Sequence, residues 1–289
     1  MRVPQSRGHL NPGDGAVVFD RFELGPGLTE LVRHAWVARW DLPEGEVRPQ
    51  RVLSYPALNA VLTPGGATLS GPDPSLFVMP LTGRSWVVGV LFRPAAAPVL
   101  TASAPRALVG TAEPLGHAPL AAVRAQMERT GPAEAPGYGV AVADPGRDGV
   151  AGAEERGWAA ARHELVRTLR AWLLPRAAGI DERGRLLNEV CRLAETESDI
   201  VRSAQLAERA GIGVRSLERL VHDRLGVSPK WLIERRRLQW AATTLFAHPE
   251  TDLSGLAAEL GYADYPHFSR RYAEVLGETP QETRSGRHR

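Results

Sequence analysis

The chain has 289 residues, 43% of them hydrophobic and 24% charged, with a formal net charge of +2, an ordinary globular make-up with enough apolar material for two domains. One cysteine excludes an internal disulfide framework and any zinc site built on several thiolates. No apolar run reaches the length of a membrane span, and the small charge surplus leaves nucleic-acid binding to be argued from position.

The start, MRVPQSRGHLNPGDG, has no apolar core, so no secretory signal is expected and the chain reads as cytoplasmic. Short runs rich in Val, Leu, Phe and Trp then alternate with turn residues. Strands are predicted over 16–24, 31–42, 51–63, 67–70, 75–81 and 85–93, broken by Gly25-Pro26-Gly27, Pro64-Gly65-Gly66 and Gly71-Pro72-Asp73-Pro74. Several strands at this spacing favour a small sandwich or barrel. Beyond Pro94 the pattern weakens to a short helix over 120–129 and an Ala/Gly/Pro-rich loop over 131–152. Leu165, Leu169, Trp172 and Leu173 then recur at helical spacing until Pro175 stops the run, and a second helix over 183–194 aligns Leu186, Leu187, Val190 and Leu193. These helices suit an interdomain or dimer-forming segment, with the 158–174 helix as the dimer face, or ordinary packing against either domain.

After Ser198 short helices meet at glycine turns. A helix over 201–210 with Leu206, Ala207 and Ala210 inward closes at Gly211, and a second over 214–225 buries Leu217, Leu220, Val221 and Leu225, with Arg215, Glu218, Arg219 and His222 opposite. Two such helices form a helix-turn-helix. The arrangement returns about fifty residues later. Asp252 caps a helix over 253–260, Gly261 ends it, and a further helix carries Phe268, Tyr272 and Leu276, with Pro266 confined to its first turn. Between the units, Ser228 and Pro229 start a longer helix with Leu232, Leu238, Ala241, Ala242 and Leu245 as core stripe, while Trp231 and Trp240 are placed at core positions. From Val201 onward there are 14 Lys and Arg against 11 Asp and Glu.

The stretch LAERAGIGVRSLERLVHDRLGVSPKWLIERRRLQWA…LSGLAAELGYADYPHFSRRYAEVLGETPQE strongly resembles the AraC/XylS family of transcription regulators over residues 198–283. L-G-V-S-P, R-R-R-L, L-A-x-E-L-G-Y, H-F-S-R and G-x-T-P stand in order and at the family spacing. K-W-L-I, with LSYPALNAVLT and VVGVLFRP upstream, resembles an actinobacterial branch with its own β-rich N-terminal domain. The resemblance implies that both second helices enter successive major-groove segments, held roughly 34 Å apart. Carried over position by position, the first reader is Arg215, Ser216, Glu218, Arg219 and His222, and the second is Tyr265, Pro266, His267 and Arg270. Arginine suits guanine O6/N7 and glutamate suits cytosine N4. Arg224, Lys230, Arg235 and Arg271 suit phosphate or protein carboxylates. Pro266 and Gly213 depart from the family pattern, since neither supplies a hydrogen-bonding side chain. Each assignment has a plainer reading, with the arginines as a solvated face and Glu218 in a salt bridge.

For the N-terminal half, Trp36, Trp40, Tyr55, Trp86 and Arg93 are candidates to line an effector pocket, although each also suits core packing. A metal cupin is disfavoured because His9, His34 and His117 are isolated. A repair methyltransferase is disfavoured because Cys191, on an apolar-patterned helix, suits an inert thiol. No enzyme activity, cofactor or metal is expected. The expected architecture is α+β: a β-rich sandwich- or barrel-like sensor or dimerisation domain (1–120), a loop and helical linker (121–197), and an all-α domain with two helix-turn-helix units (198–289). The expected function is sequence-specific DNA-binding regulation, as activator or repressor. Double-stranded DNA is the partner, and RNA polymerase, a small-molecule effector and a second copy of the chain are further candidates. A helix-turn-helix protein acting mainly as a protein-interaction module is the alternative.

Overall fold

The computed structural model describes residues 17–130 and 154–285, so the loop predicted over 131–152 and the segment read for a signal lie outside the described residues. The strands are β1 (Val17–Phe22), β2 (Val32–Asp41), β3 (Val47–Leu53), β4 (Asn59–Thr63), β5 (Gly66–Ser70), β6 (Leu76–Thr82), β7 (Arg84–Phe92) and β8 (Ala112–Pro114). They form a six-stranded sheet in the order β1-β2-β7-β4-β5-β8, faced by a two-stranded sheet of β3 and β6, with antiparallel pairing throughout. The single strand expected over 51–63 is two strands in different sheets. Pro56 stands between them and has no N–H for a ladder, so the chain breaks there and crosses over.

One face of the large sheet is covered by α3 (Leu120–Arg129) and α4 (Glu154–Ala177). Ala35, Val37, Ala60, Leu62, Val88, Val90 and Phe92 from the strands are buried there with Leu165, Leu169, Trp172 and Leu173 from α4. The helical stripe expected to pair two copies is thus already covered by the sheet of its own chain. Nor does Pro175 stop α4, which runs on to Ala177; the Arg176 guanidinium donates to the Trp172 carbonyl at 2.6 Å. Short helices α1 (Ala97–Leu100) and α2 (Pro105–Leu108) follow β7, in a region where no element was legible.

The C-terminal helices are α5 (Glu182–Thr196), α6 (Ser203–Arg209), α7 (Val214–Leu225), α8 (Pro229–Ala247), α9 (Leu253–Glu259), α10 (Tyr265–Leu276) and α11 (Pro280–Arg284). The linker helices are divided between the two halves: α4 belongs to the sheet, while α5 sends Leu187, Val190, Cys191 and Leu193 into one core with Leu206, Leu217, Leu220, Val221, Leu225, Leu232 and Ile233. A separate core joins Leu238, Ala241, Ala242 and Leu245 of α8 to Leu256, Leu260, Phe268, Tyr272 and Leu276. Helix α8 therefore serves both helix-turn-helix cores, its first turns in one and its last turns in the other.

The two halves interlock. Leu53 of β3, fully buried, sits in the core of the second helix-turn-helix. Arg51 pairs with Glu278 at 3.0 Å and donates to the Leu276 carbonyl at 3.2 Å. From α8, Arg235 donates to the carbonyls of Asp73 and Pro74 at 2.6 and 2.7 Å, and Gln239 donates to that of Leu53 at 3.2 Å. On the other side, Asn188 of α5 accepts from the Ala95 N–H at 3.0 Å and donates to Glu30, while Arg33 forms a bidentate pair with Glu195. Gly226 ends α7 at φ +73° with its Cα against the backbone of Arg106, an approach and a dihedral that only glycine accommodates.

Candidate nucleic-acid interface and the cavity behind it

In each unit the second helix is set by local chemistry. Asp264 caps α10 by accepting from the His267 N–H at 2.7 Å, which leaves Pro266 in the first turn where its missing N–H is harmless. Helix α7 starts at Gly213 with no side-chain cap, as the departure from the family pattern implied. Both helices end in a left-handed glycine, Gly226 and Gly277.

Helix burial divides each reader cleanly. Arg215, Ser216, Glu218, Arg219 and His222 are exposed on α7, while Leu217, Leu220, Val221 and Leu225 are buried. On α10, Pro266, His267 and Arg270 are exposed and Tyr265 is half-buried against Phe268. Arg215, Arg219 and Arg270 have no carboxylate partner among the described residues, and Glu218 makes no salt bridge there. The flanking arginines behave differently. Arg224 pairs with Asp181 at 2.6 Å and Arg271 with Glu234 at 2.7 Å. Arg235, expected to meet phosphate or carboxylate, is instead buried on the backbone carbonyls of Asp73 and Pro74, and burial lowers its pKa to about 10. Lys230 remains exposed. Trp240, expected in the core, is 40% exposed because it falls on the outer side of α8 from Leu238, Ala241 and Ala242.

Between the two sheets lies a cavity of about 530 Å³, within the range of small-molecule sites. Its walls come from alternate residues of each strand: Val17, Phe19 and Arg21 of β1, His34, Trp36 and Trp40 of β2, Gln50 and Val52 of β3, Met79 and Leu81 of β6. Trp36, Trp40 and Tyr55 were legible as lining. Trp86 is not part of it, since the same alternation turns it to the helix-covered face. Arg93 is not either; it borders a narrow seam beside Arg33, Asn188 and Glu195. Trp36 stacks on Phe19 at 5.7 Å, and Gly89, directly across from Trp36 on β7, leaves the space its indole fills.

The lining residues missed in the sequence include Phe19, Arg21, His34 and Asn59, whose Oδ1 accepts from the Trp36 indole at 3.3 Å. The period-two pattern Val17-Phe19-Arg21 was the available signal for a cation on an apolar face. His34 is buried with its Nδ1 unpartnered, and burial together with Arg21, Arg33 and Arg93 drops its pKa from 6.5 to about 3. The folded chain thus resists protonation that the unfolded chain accepts. Stability should fall as pH drops from 6.5 toward 3, with a contribution from this residue of up to about 1.4 kcal/mol per pH unit. Urea unfolding across that range should show a shallower acid loss in His34→Asn than in the parent; equal slopes would contradict it. Cys191 is buried and its thiol is pushed well above the ordinary range by burial, as suits a core residue. Among the described residues no group of three or more His, Cys, Asp or Glu is arranged to hold a metal.

Comparison with known proteins agrees with this geometry. Residues 206–286 match a family described as a helix-turn-helix domain, and residues 21–114 match one described as a domain of unknown function. The transcriptional activator RhaS of Yersinia pestis (strain Pestoides F) is 29% identical over 108 residues, 37% of this chain and 39% of its own length. The C-terminal part of the chain is thus similar to a helix-turn-helix family and to part of this activator. RhaS of Escherichia fergusonii is likewise 29% identical, over 36% of this chain and 37% of that protein. The similarity thus spans well under half the length of these relatives. Among solved structures, an AraC-type regulator from Chromobacterium violaceum is 29% identical over 36% of this chain and 94% of its own (TM-score 0.33), and ToxT from Vibrio cholerae is 11% identical over 92% and 96% (TM-score 0.38). No helix among the described residues is long and apolar enough to cross a membrane.

Proposed function

We propose that the chain is a sequence-specific transcription regulator that reads duplex DNA through α7 and α10, acts in the cytoplasm, and answers to a small molecule held in its β domain. The observation that carries this reading is the pair of exposed helix faces whose arginines are unpaired among the described residues, while the arginines around them are tied to protein groups. Arg215, Ser216, Glu218, Arg219 and His222 form the first reader, and Tyr265, Pro266, His267 and Arg270 the second. Pro266 offers only apolar contact, so Arg270 carries most of the second reader's discrimination.

Arg219→Ala and Arg270→Ala should each cost about 1–3 kcal/mol on the specific site and little on random duplex. Equal losses on both would assign these arginines to phosphate. The tying of Arg224, Arg235 and Arg271 to protein groups favours one other reading, a protein-interaction module with weak DNA affinity. Titration of duplex binding against salt separates the two. A steep fall with rising salt supports DNA reading through counterion release, and a flat response supports the interaction module.

A further inference from the structure

Arg21 reaches the cavity wall with no hydrogen bond or carboxylate partner among the described residues; its guanidinium lies over the Phe19 ring at 4.3 Å. Arg33 is paired with Glu195, Arg51 with Glu278 and Arg162 of the covering helix with Asp20, while Arg93, which has no carboxylate partner among the described residues, lies at the seam outside the cavity. Asp73, the carboxylate residue on the cavity wall, is not paired with Arg21, and its Oδ1 accepts from the Ser75 N–H at 2.8 Å. A guanidinium stays charged, so a half-buried one without counter-charge lowers the free energy of any anion placed beside it. Most of the remaining wall is apolar, with Phe19 and Trp36 stacked at an interplanar angle of 9° and Trp40, Val61, Met79 and Leu81 around them, and a few neutral polar side chains such as Gln50 and Asn59. His34 adds one buried, unpartnered ring nitrogen.

Strand β3 has two occupied faces. Gln50 and Val52 border the cavity, while Arg51 and Leu53 between them reach into the second helix-turn-helix. Held by Gln239 at Leu53, this short strand joins the cavity wall directly to the second helix-turn-helix.

We propose that the cavity takes a flat organic monoanion, with its anionic oxygens on Arg21 and its body along Phe19, Trp36 and Trp40, and that β3 passes its occupancy to the second helix-turn-helix. This rests on the reading of the β domain as a sensor, and the test uses no DNA, so its failure is separate from a failure of DNA reading. The full chain is titrated by calorimetry with 2-naphthoate and with 2-naphthamide, which has the same shape without the charge. The acid should bind tighter by about tenfold or more. Arg21→Met should bring the acid down to the amide's affinity, and Arg21→Lys, which keeps a cation, should retain a preference for the acid. Hydrogen exchange with the acid bound should slow in residues 253–276 more than in 203–225. Equal affinity for the two probes, or binding of neither, overturns the anion site. Protection confined to residues 17–114, or equal in both helix-turn-helix units, overturns the relay through β3.

Discussion

Leu53→Ala should destabilise the full chain by about 2–5 kcal/mol, the range for truncating a fully buried leucine, and the loss should appear in the second helix-turn-helix. Leu53 belongs by sequence to the β domain, but it is fully buried in the core that holds Leu238, Leu245, Leu256, Phe268 and Tyr272. Its removal opens a cavity between β3 and α8 while the core between the large sheet and α4, built around Val88, Val90 and Leu165, keeps its packing. Native-state hydrogen exchange should show faster opening of 253–276 and unchanged protection of 32–41. Loss spread evenly over both regions would mean that Leu53 acts through the sheet.

Arg51→Met should cost about 3–5 kcal/mol, because it strips the partner from a buried carboxylate. Arg51 and Glu278 are only 11% and 7% exposed, and Glu278 anchors a chain that runs through Thr283 (2.6 Å) to the Tyr272 hydroxyl (2.9 Å). The Tyr272 hydroxyl is itself held above its ordinary range by burial. Replacing both charges, Arg51→Met with Glu278→Gln, should recover most of the loss, since the penalty lies in the orphaned carboxylate and not in a missing attraction. Urea midpoints of the two single variants and the double variant check this. Additive losses would show that the two side chains contribute independently, and a double variant as destabilised as either single one would show that the pair contributes mainly by direct attraction.

What the sequence revealed follows the range of each signal. Helix α7 was legible to the residue because its apolar positions repeat at helical spacing, and Ser228 and Asp252 were legible as caps because capping is local. The predicted strands match within a residue or two, except where 51–63 runs through Pro56, which has no N–H to pair. Helix α11 and the short β8 escaped because neither is long enough to show a period. The candidate readers were legible because they sit opposite a buried stripe on their own helix. The cavity was legible in part: Trp36 and Trp40 announce an aromatic wall, but which sheet face Trp86 takes depends on register against β2, and Arg21 gains its meaning only from the strands across from it. The docking of Leu53 into the other half joins residues far apart in the chain, and no local pattern encodes it.

The most direct test of the central claim, that α7 and α10 read DNA together, is selection of bound duplexes from a random pool by the full chain at physiological salt. An asymmetric motif with two separate elements about one helical turn apart is expected, one lost with Arg219→Ala and the other with Arg270→Ala. No enrichment over the starting pool would contradict it.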